Sequence, residues 1–243
     1  MVSERYERQL VMPEVGEAGQ ARLAASKVLV VGAGGLGSPI LLYLAAAGVG
    51  VLGIADNDTV APSNLNRQVL YTDEHLGRSK VLVAVRRVRA LNPSGKAVPH
   101  EVRVLRDNGL DLVQQYDLVV DASDTLETKK LLNELCVEAG RPLVWAAVTR
   151  FEGQMGVYLP GHACRACIFP ELPEPGTYPT PAELGIIGAA AGVMGALEAT
   201  EALKVLLEVG EPLVDALLLW DGLRMDFDVV RFDRDVECPV CAG

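Results

Sequence analysis

The run Gly32-Ala33-Gly34-Gly35-Leu36-Gly37 constrains this chain more than any other feature. It follows a β-branched stretch, Lys27–Val31, and precedes an apolar helical stretch at 38–47. A tight strand-to-helix turn needs residues without Cβ, and the first amides of the helix then face a phosphate group. Gly32, Gly34, Gly35 and Gly37 are therefore candidate nucleotide-binding positions. A second strand at 51–55 leads to Asp56, at the spacing where a carboxylate accepts ribose hydroxyls. The same glycines also fit a purely structural turn beneath a helix. No Gly-Lys-Ser/Thr follows them, so this is not a P-loop.

The pattern downstream alternates. Helices are expected at 77–91 and 126–139, the first stopped by Asn92-Pro93, and strands at 98–104, 118–121 and 142–147. Strands alternating with helices indicate a parallel, doubly wound, Rossmann-like α/β sheet. The second half differs: 154–159, 217–220 and 225–230 read as strands, 171–181 as a Pro- and Gly-rich loop, and 188–209 as a long helix. The expected sheet is mostly parallel and continues into antiparallel strands. Residues 1–26 read as a helical extension, 27–150 as the nucleotide-binding half and 151–243 as the second half of one domain.

Residues 28–55 contain no charge and are long enough to span a bilayer. Seven glycines within them favour strand, turn, helix and strand instead. Half the residues are hydrophobic and the formal net charge is -10, which suits a large core and opposes nucleic acid or anionic membranes as partners. The start of the chain has no apolar leader, so a cytoplasmic location is expected.

Past the second strand, Ser63-Asn64-Leu65-Asn66-Arg67-Gln68 and then Lys80 place an amide and two cations near Asp56. Hydride transfer has little need of such a set, whereas displacement at a triphosphate does, because charge accumulates on phosphate oxygens. Taken singly, Arg67 and Lys80 read more readily as solvated surface charges. Asp121 and Asp124 follow a buried strand, at the end where open α/β sheets bind ligands. One of them suits Mg²⁺. The bland reading is that Ser123 or Asp124 caps the next helix.

Five cysteines occur, and four form Cys164-x-x-Cys167 and Cys238-x-x-Cys241. Two such pairs supply a tetrahedral four-thiolate Zn²⁺ site; disulfides or a redox dithiol are the rivals. Cys136 lies in an apolar helix and reads as core. None of the three histidines, His75, His100 and His162, falls in a recognisable base arrangement.

Taken together, Arg5-Tyr6-Glu7-Arg8-Gln9, Gly32 to Gly37, Asp56-Asn57-Asp58, 63–68, Lys80, 121–124 and both cysteine pairs resemble the E1-like adenylyltransferases that activate ubiquitin-like sulfur carriers. The likeness to the molybdopterin-synthase and thiazole-pathway types runs almost end to end. The resemblance implies that the glycine turn and Asp56 hold ATP, that Asn64, Arg67 and Lys80 contact its phosphates, and that Asp124 serves Mg²⁺. It implies that Arg8 enters the partner's site in a homodimer and that the paired cysteines bind structural zinc. The implied substrate is the C-terminal Gly-Gly carboxylate of a small β-grasp protein, activated for molybdopterin, thiamine or thiolation chemistry.

Two departures stand out. Some relatives carry a cysteine before the long helix, where this chain reads Thr180-Pro181-Ala182-Glu183. Adenylation without a covalent enzyme–carrier step is therefore expected, with sulfur delivered by a separate donor such as a cysteine desulfurase or rhodanese. No fused rhodanese domain is expected past Gly243. Thr125 stands where relatives often have Asn. The competing readings are an NAD(P)-dependent oxidoreductase, a non-catalytic zinc-stabilised scaffold, and a tRNA threonylcarbamoyladenosine dehydratase. Acidic charge and paired cysteines favour a protein substrate over tRNA.

Overall fold

The computed structural model describes residues 4–172 and 181–242. Eight strands form one sheet: β1 Lys27–Val31, β2 Val51–Ala55, β3 Lys96–His100, β4 Leu118–Asp121, β5 Leu143–Thr149, β6 Glu152–Tyr158, β7 Ala216–Asp221 and β8 Asp226–Arg231. Their order is β3-β2-β1-β4-β5-β6-β7-β8. Pairs from β3 to β5 are parallel, and those from β5 to β8 are antiparallel. The helices are α1 Glu7–Leu10, α2 Gly16–Ala25, α3 Gly37–Ala47, α4 Lys80–Leu91, α5 Arg106–Val113, α6 Leu126–Ala139, α7 Pro181–Leu184 and α8 Gly188–Leu207.

After β1 the chain builds outward through β2 and β3, then returns to lay β4 on the other side of β1. The connections diverge between β1 and β4, which opens a crevice at the carboxyl ends of those strands. Side chains alternate across β1: Val28 and Val30 enter one core with α3, α4 and α8, while Leu29 and Val31 enter another with α5, α6 and the cysteine tail. Burial on both faces explains why β1 and β4 are continuous apolar runs.

Several boundaries move. The fourth helix starts at Lys80, not 77, because the Ser79 hydroxyl caps it through the Leu82 amide. The expected 98–104 strand is β3 at 96–100, and α5 follows it unforeseen. The N-terminal extension is broken: a 3₁₀ turn at Glu4–Tyr6 and short α1 are separated from α2 by a non-helical stretch. The long helix ends at Leu207, where Glu208 takes a left-handed conformation. Most of the expected 171–181 loop lies outside the described residues.

Gly188 and Gly195 of α8 serve packing within the chain, while a Cβ at Gly192 would meet open space. A Cβ on Gly195 would lie 2.6 Å from the Leu36 carbonyl, so α8 rests directly on the turn after β1. Among the described residues, no helix is long and apolar enough to cross a membrane.

Candidate active site

The turn between β1 and α3 is fixed by sterics and by Asp56. Gly32 has φ +98°, and a Cβ at Gly37 would sit 2.0 Å from the Gly32 carbonyl oxygen. No other residue type fits such a reversal. Asp56 accepts from the Ala33 amide through one oxygen and from the Asp58 amide through the other, both at 2.8 Å. It thus binds the turn to the end of β2 before any nucleotide arrives. Beneath the turn, the buried Tyr71 hydroxyl donates to the Ala33 carbonyl at 2.7 Å. Burial first, then the Asp56 and Asp58 carboxylates, push its pKa far up, so it remains a donor. Nothing in the residue spacing pointed to Tyr71. Its position becomes visible only once the turn is folded over it.

The 63–68 segment lies against the same turn. Asn64 Oδ1 accepts from the Ala61 amide at 3.0 Å, shaping a 3₁₀ turn and leaving its NH₂ as the donor end. The Arg67 guanidinium is steadied by the Ser63 carbonyl at 2.8 Å and Asn66 Oδ1 at 3.1 Å, while its stem passes Gly35. Lys80 is buried rather than solvated, and its ammonium meets the exposed Asp58 carboxylate at 2.8 Å.

The two acids after β4 divide their work. Asp121 is fully buried, and its Oδ1 accepts from the Ser123 amide and hydroxyl at 3.0 and 2.5 Å. Asp124 is exposed. It does not cap α6: Thr125 does, through the Thr128 amide. The capping reading of Ser123 and Asp124 is therefore corrected, and Thr125 has a structural task of its own. The crevice thus carries amide donors from the turn, a cationic pair at 67 and 80, and an outward carboxylate at 124. Gly32 touches the Ala122 carbonyl, which brings the turn and the 121–124 segment into direct contact.

Arg8 stands apart. Its helix packs at the far end of α3, where Gln9 Nε2 bonds the Ala47 carbonyl at 3.1 Å and the Tyr6 ring meets Gly48. The eleven residues of α3 set about 16 Å between that end and the glycine turn. Arg8 therefore does not join the other site residues within one chain.

The four paired cysteines converge. Sγ of Cys164 lies 3.7 Å from that of Cys238, Sγ of Cys167 lies 3.5 Å from that of Cys241, and all four fall within 4.8 Å of one another. Tetrahedral thiolates about 2.3 Å from zinc would stand roughly 3.8 Å apart, so the donor set fits Zn²⁺. Disulfides need contacts of about 2 Å, and all five cysteines are free. Burial pushes the Cys164 thiol up and raises Cys167 to about 11. Burial most strongly opposes ionisation of Cys241, but hydrogen bonds from Arg234 and from the neighbouring Cys164 and Cys167 together outweigh it and hold the thiol at about 7. Cys136 is buried core, as its helix implied. His100 ends β3 and meets the Tyr116 hydroxyl at 2.6 Å.

The model of the ThiF family matches residues 6–240. A sulfur carrier protein adenylyltransferase of Thermus thermophilus is 48% identical over 98% of this chain and 90% of its own length. The chain belongs to the ThiF family. It is an adenylyltransferase with an E1-like fold. The SAMP-activating enzyme E1 of Haloferax volcanii is 47% identical over 98% of this ThiF chain and 88% of that enzyme. Among solved structures, E. coli MccB with MccA-N7isoASN superposes with a TM-score of 0.87 at 23% identity, covering 100% of this chain and 75% of that one. That likeness concerns the fold.

Proposed function

We propose that this ThiF-family chain transfers AMP from ATP to the C-terminal Gly-Gly carboxylate of a small ubiquitin-like sulfur carrier. The observation that carries this reading is the contact between the preformed glycine turn and the segment presenting Asp124. The amide donors of the turn and the exposed Asp124 carboxylate, which takes part in no hydrogen bond among the described residues, lie at one crevice there. Relatives named for sulfur-carrier activation support the substrate class, and a solved structure of MccB with ATP supports the nucleotide.

A carrier carboxylate oxygen attacks the α-phosphorus, the bond to the bridging oxygen of the β-phosphate breaks, and pyrophosphate leaves with that electron pair. A carboxylate is ionised at neutral pH, so no protein base is required, in keeping with the lack of a histidine arrangement. Gly32 to Gly37 present amides to the phosphates, Asp56 faces the ribose, and Asn64, Arg67 and Lys80 offset charge on the departing group. Asp124 would hold Mg²⁺, which supplies charge neutralisation on phosphate oxygens. The four thiols would hold a structural Zn²⁺ that ties the tail to the 164–167 turn.

Arg8 acts only from a second copy, which makes the enzyme a homodimer. A shallow groove beside it, lined by Gln9, Tyr43, Ala46, Ala196, Thr200 and Leu203, supports that pairing. With no cysteine at 180–183, the enzyme adenylates and leaves sulfur transfer to a separate donor. The carrier serves molybdopterin, thiamine or thiolation synthesis, and the setting is cytoplasmic.

Carrier-dependent ATP–pyrophosphate exchange is the test. The wild-type protein should exchange label only with a Gly-Gly-ending carrier, Arg67→Ala should abolish exchange, and NAD(P) should bind poorly. Exchange that persists in Arg67→Ala, or a covalent enzyme–carrier adduct by mass spectrometry, would count against the scheme.

A further inference from the structure

Asp121, Lys129 and Glu198 are 0, 2 and 0% exposed, yet each has a polar atom without a hydrogen bond among the described residues. Those atoms are Asp121 Oδ2, Lys129 Nζ and both Glu198 carboxyl oxygens. Lys129 Nζ lies 3.5 Å from Asp121 Oδ1. Burial raises the Glu198 pKa strongly, the Lys129 charge opposes that rise, and the Asp121 charge adds to it. Arg165 closes the group near Asp121, its guanidinium 5.5 Å from the Trp145 ring centre and 5.0 Å from that of Phe169.

The group joins pieces that otherwise lie apart. Lys129 comes from α6 on one face of the sheet, and Glu198 from α8 on the other. Both lie near enough to Asp121, the last residue of β4, for their electrostatics to couple. Asp121 in turn holds Ser123, and so the turn that carries Asp124. Helix α8 rests on the glycine turn through Gly195 against Leu36 and Ala191 against Gly35. Lys129 therefore stands between the support of the Asp124 turn and the helix that backs the glycine turn. An apolar side chain of similar volume would fill this place at lower cost than an incompletely bonded charge. Folded proteins break that local rule where a site needs it.

We propose that Lys129 is a positioning residue for adenylyl transfer: its ammonium, paired with Asp121 at the end of β4 and near Glu198 of α8, fixes the Asp124 turn relative to the glycine turn. This rests on the reading of Asp124 as the metal-side carboxylate. Lys129 touches no substrate and acts through Asp121.

The test uses the full chain with its carrier. Lys129→Gln should raise the Mg²⁺ concentration for half-maximal exchange about tenfold while leaving the KM for carrier within about threefold, and Lys129→Arg should restore it. A merely structural role would lower the amount of folded enzyme without moving the Mg²⁺ dependence. Independently of activity, hydrogen exchange in Lys129→Gln should show lost protection at the Ser123 amide and retained protection in β2. Should that variant not fold, Lys129→Met with Glu198→Leu replaces the buried polar groups by apolar volume and is read the same way. Unchanged Mg²⁺ dependence together with unchanged Ser123 protection, in an active background, overturns the inference alone. A wild-type protein that exchanges no label with any Gly-Gly carrier overturns the parent reading and the inference with it.

Discussion

The glycine turn and the cysteine cluster both bring distant segments together, by opposite means. At the turn, contact is made by backbone: carbonyls of residues 32 and 122 approach where no Cβ stands, and Asp56 ties two amides. At the cluster, contact is made by side chains whose sulfurs stand at coordination distance with no disulfide between them. The turn is complete as folded. The cluster gathers groups that burial makes reluctant to ionise, and a cation offsets that penalty. Around the turn lie parallel strands buried on both faces, whereas all six residues of β8 beside the tail are exposed. The turn sits among buried parallel strands, and the cysteine cluster, whose donor set fits a metal, sits beside an exposed one.

Filling the turn should do the most damage. Gly37→Val forces a branched side chain onto the Gly32 carbonyl, and should cost about 3 kcal/mol by urea unfolding with ATP binding lost in calorimetry. Stability and binding near wild type would mean that the turn is not sterically set. Asp124→Ala should separate chemistry from folding: exchange falls at least about 100-fold, while unfolding free energy stays within about 0.5 kcal/mol. Cys238→Ser should do the reverse, dropping bound zinc to zero by elemental analysis and the Tm by on the order of 10 °C, with residual exchange in the folded fraction. If Cys238→Ser instead abolished exchange at full stability, the cysteines would belong to the reaction rather than the scaffold.

The most local effect concerns Glu198. Its folded pKa lies well above the ordinary value of 4.5. The folded state therefore keeps a proton that the unfolded chain releases, and stability falls as pH rises above 4.5. The slope approaches about 1.4 kcal/mol per pH unit for one such group. Glu198→Gln should remove that component above pH 4.5. Parallel wild-type and variant curves in that range would show Glu198 to be ionised in the fold.

The legible parts of this chain were those with short-range causes. A β-branched run, four glycines and an apolar helix read correctly as β1, turn and α3 because each constraint is local. The cysteine pairs were legible because thiolate spacing carries its own chemistry. Helix α5 was missed because Arg106–Val113 contains Asn108 and Gly109 and buries only three residues. Thr125 was seen as an oddity in the site, but its hydroxyl is consumed by the start of α6. Arg8 carries a role in a partner's site from resemblance alone, and its helix packs at the end of α3 away from the glycine turn. Lys129 and Glu198 passed unnoticed because a charge on a helix reads as solvated until the sheet closes over it. An acid within the apolar run of α8 was the available signal.

The cysteine arrangement also bears on the order of events during synthesis. Cys164 and Cys238 are separated by 74 residues. At about 5–20 residues per second, the ribosome needs roughly 4–15 s to cover that distance. The first pair of thiols therefore waits, reduced and unpaired, while the sheet of the first half has time to form. With zinc as the proposed ligand of the four thiols, metal uptake would be the closing step of maturation, and a shortage of zinc would yield chains folded at the turn yet open at the tail.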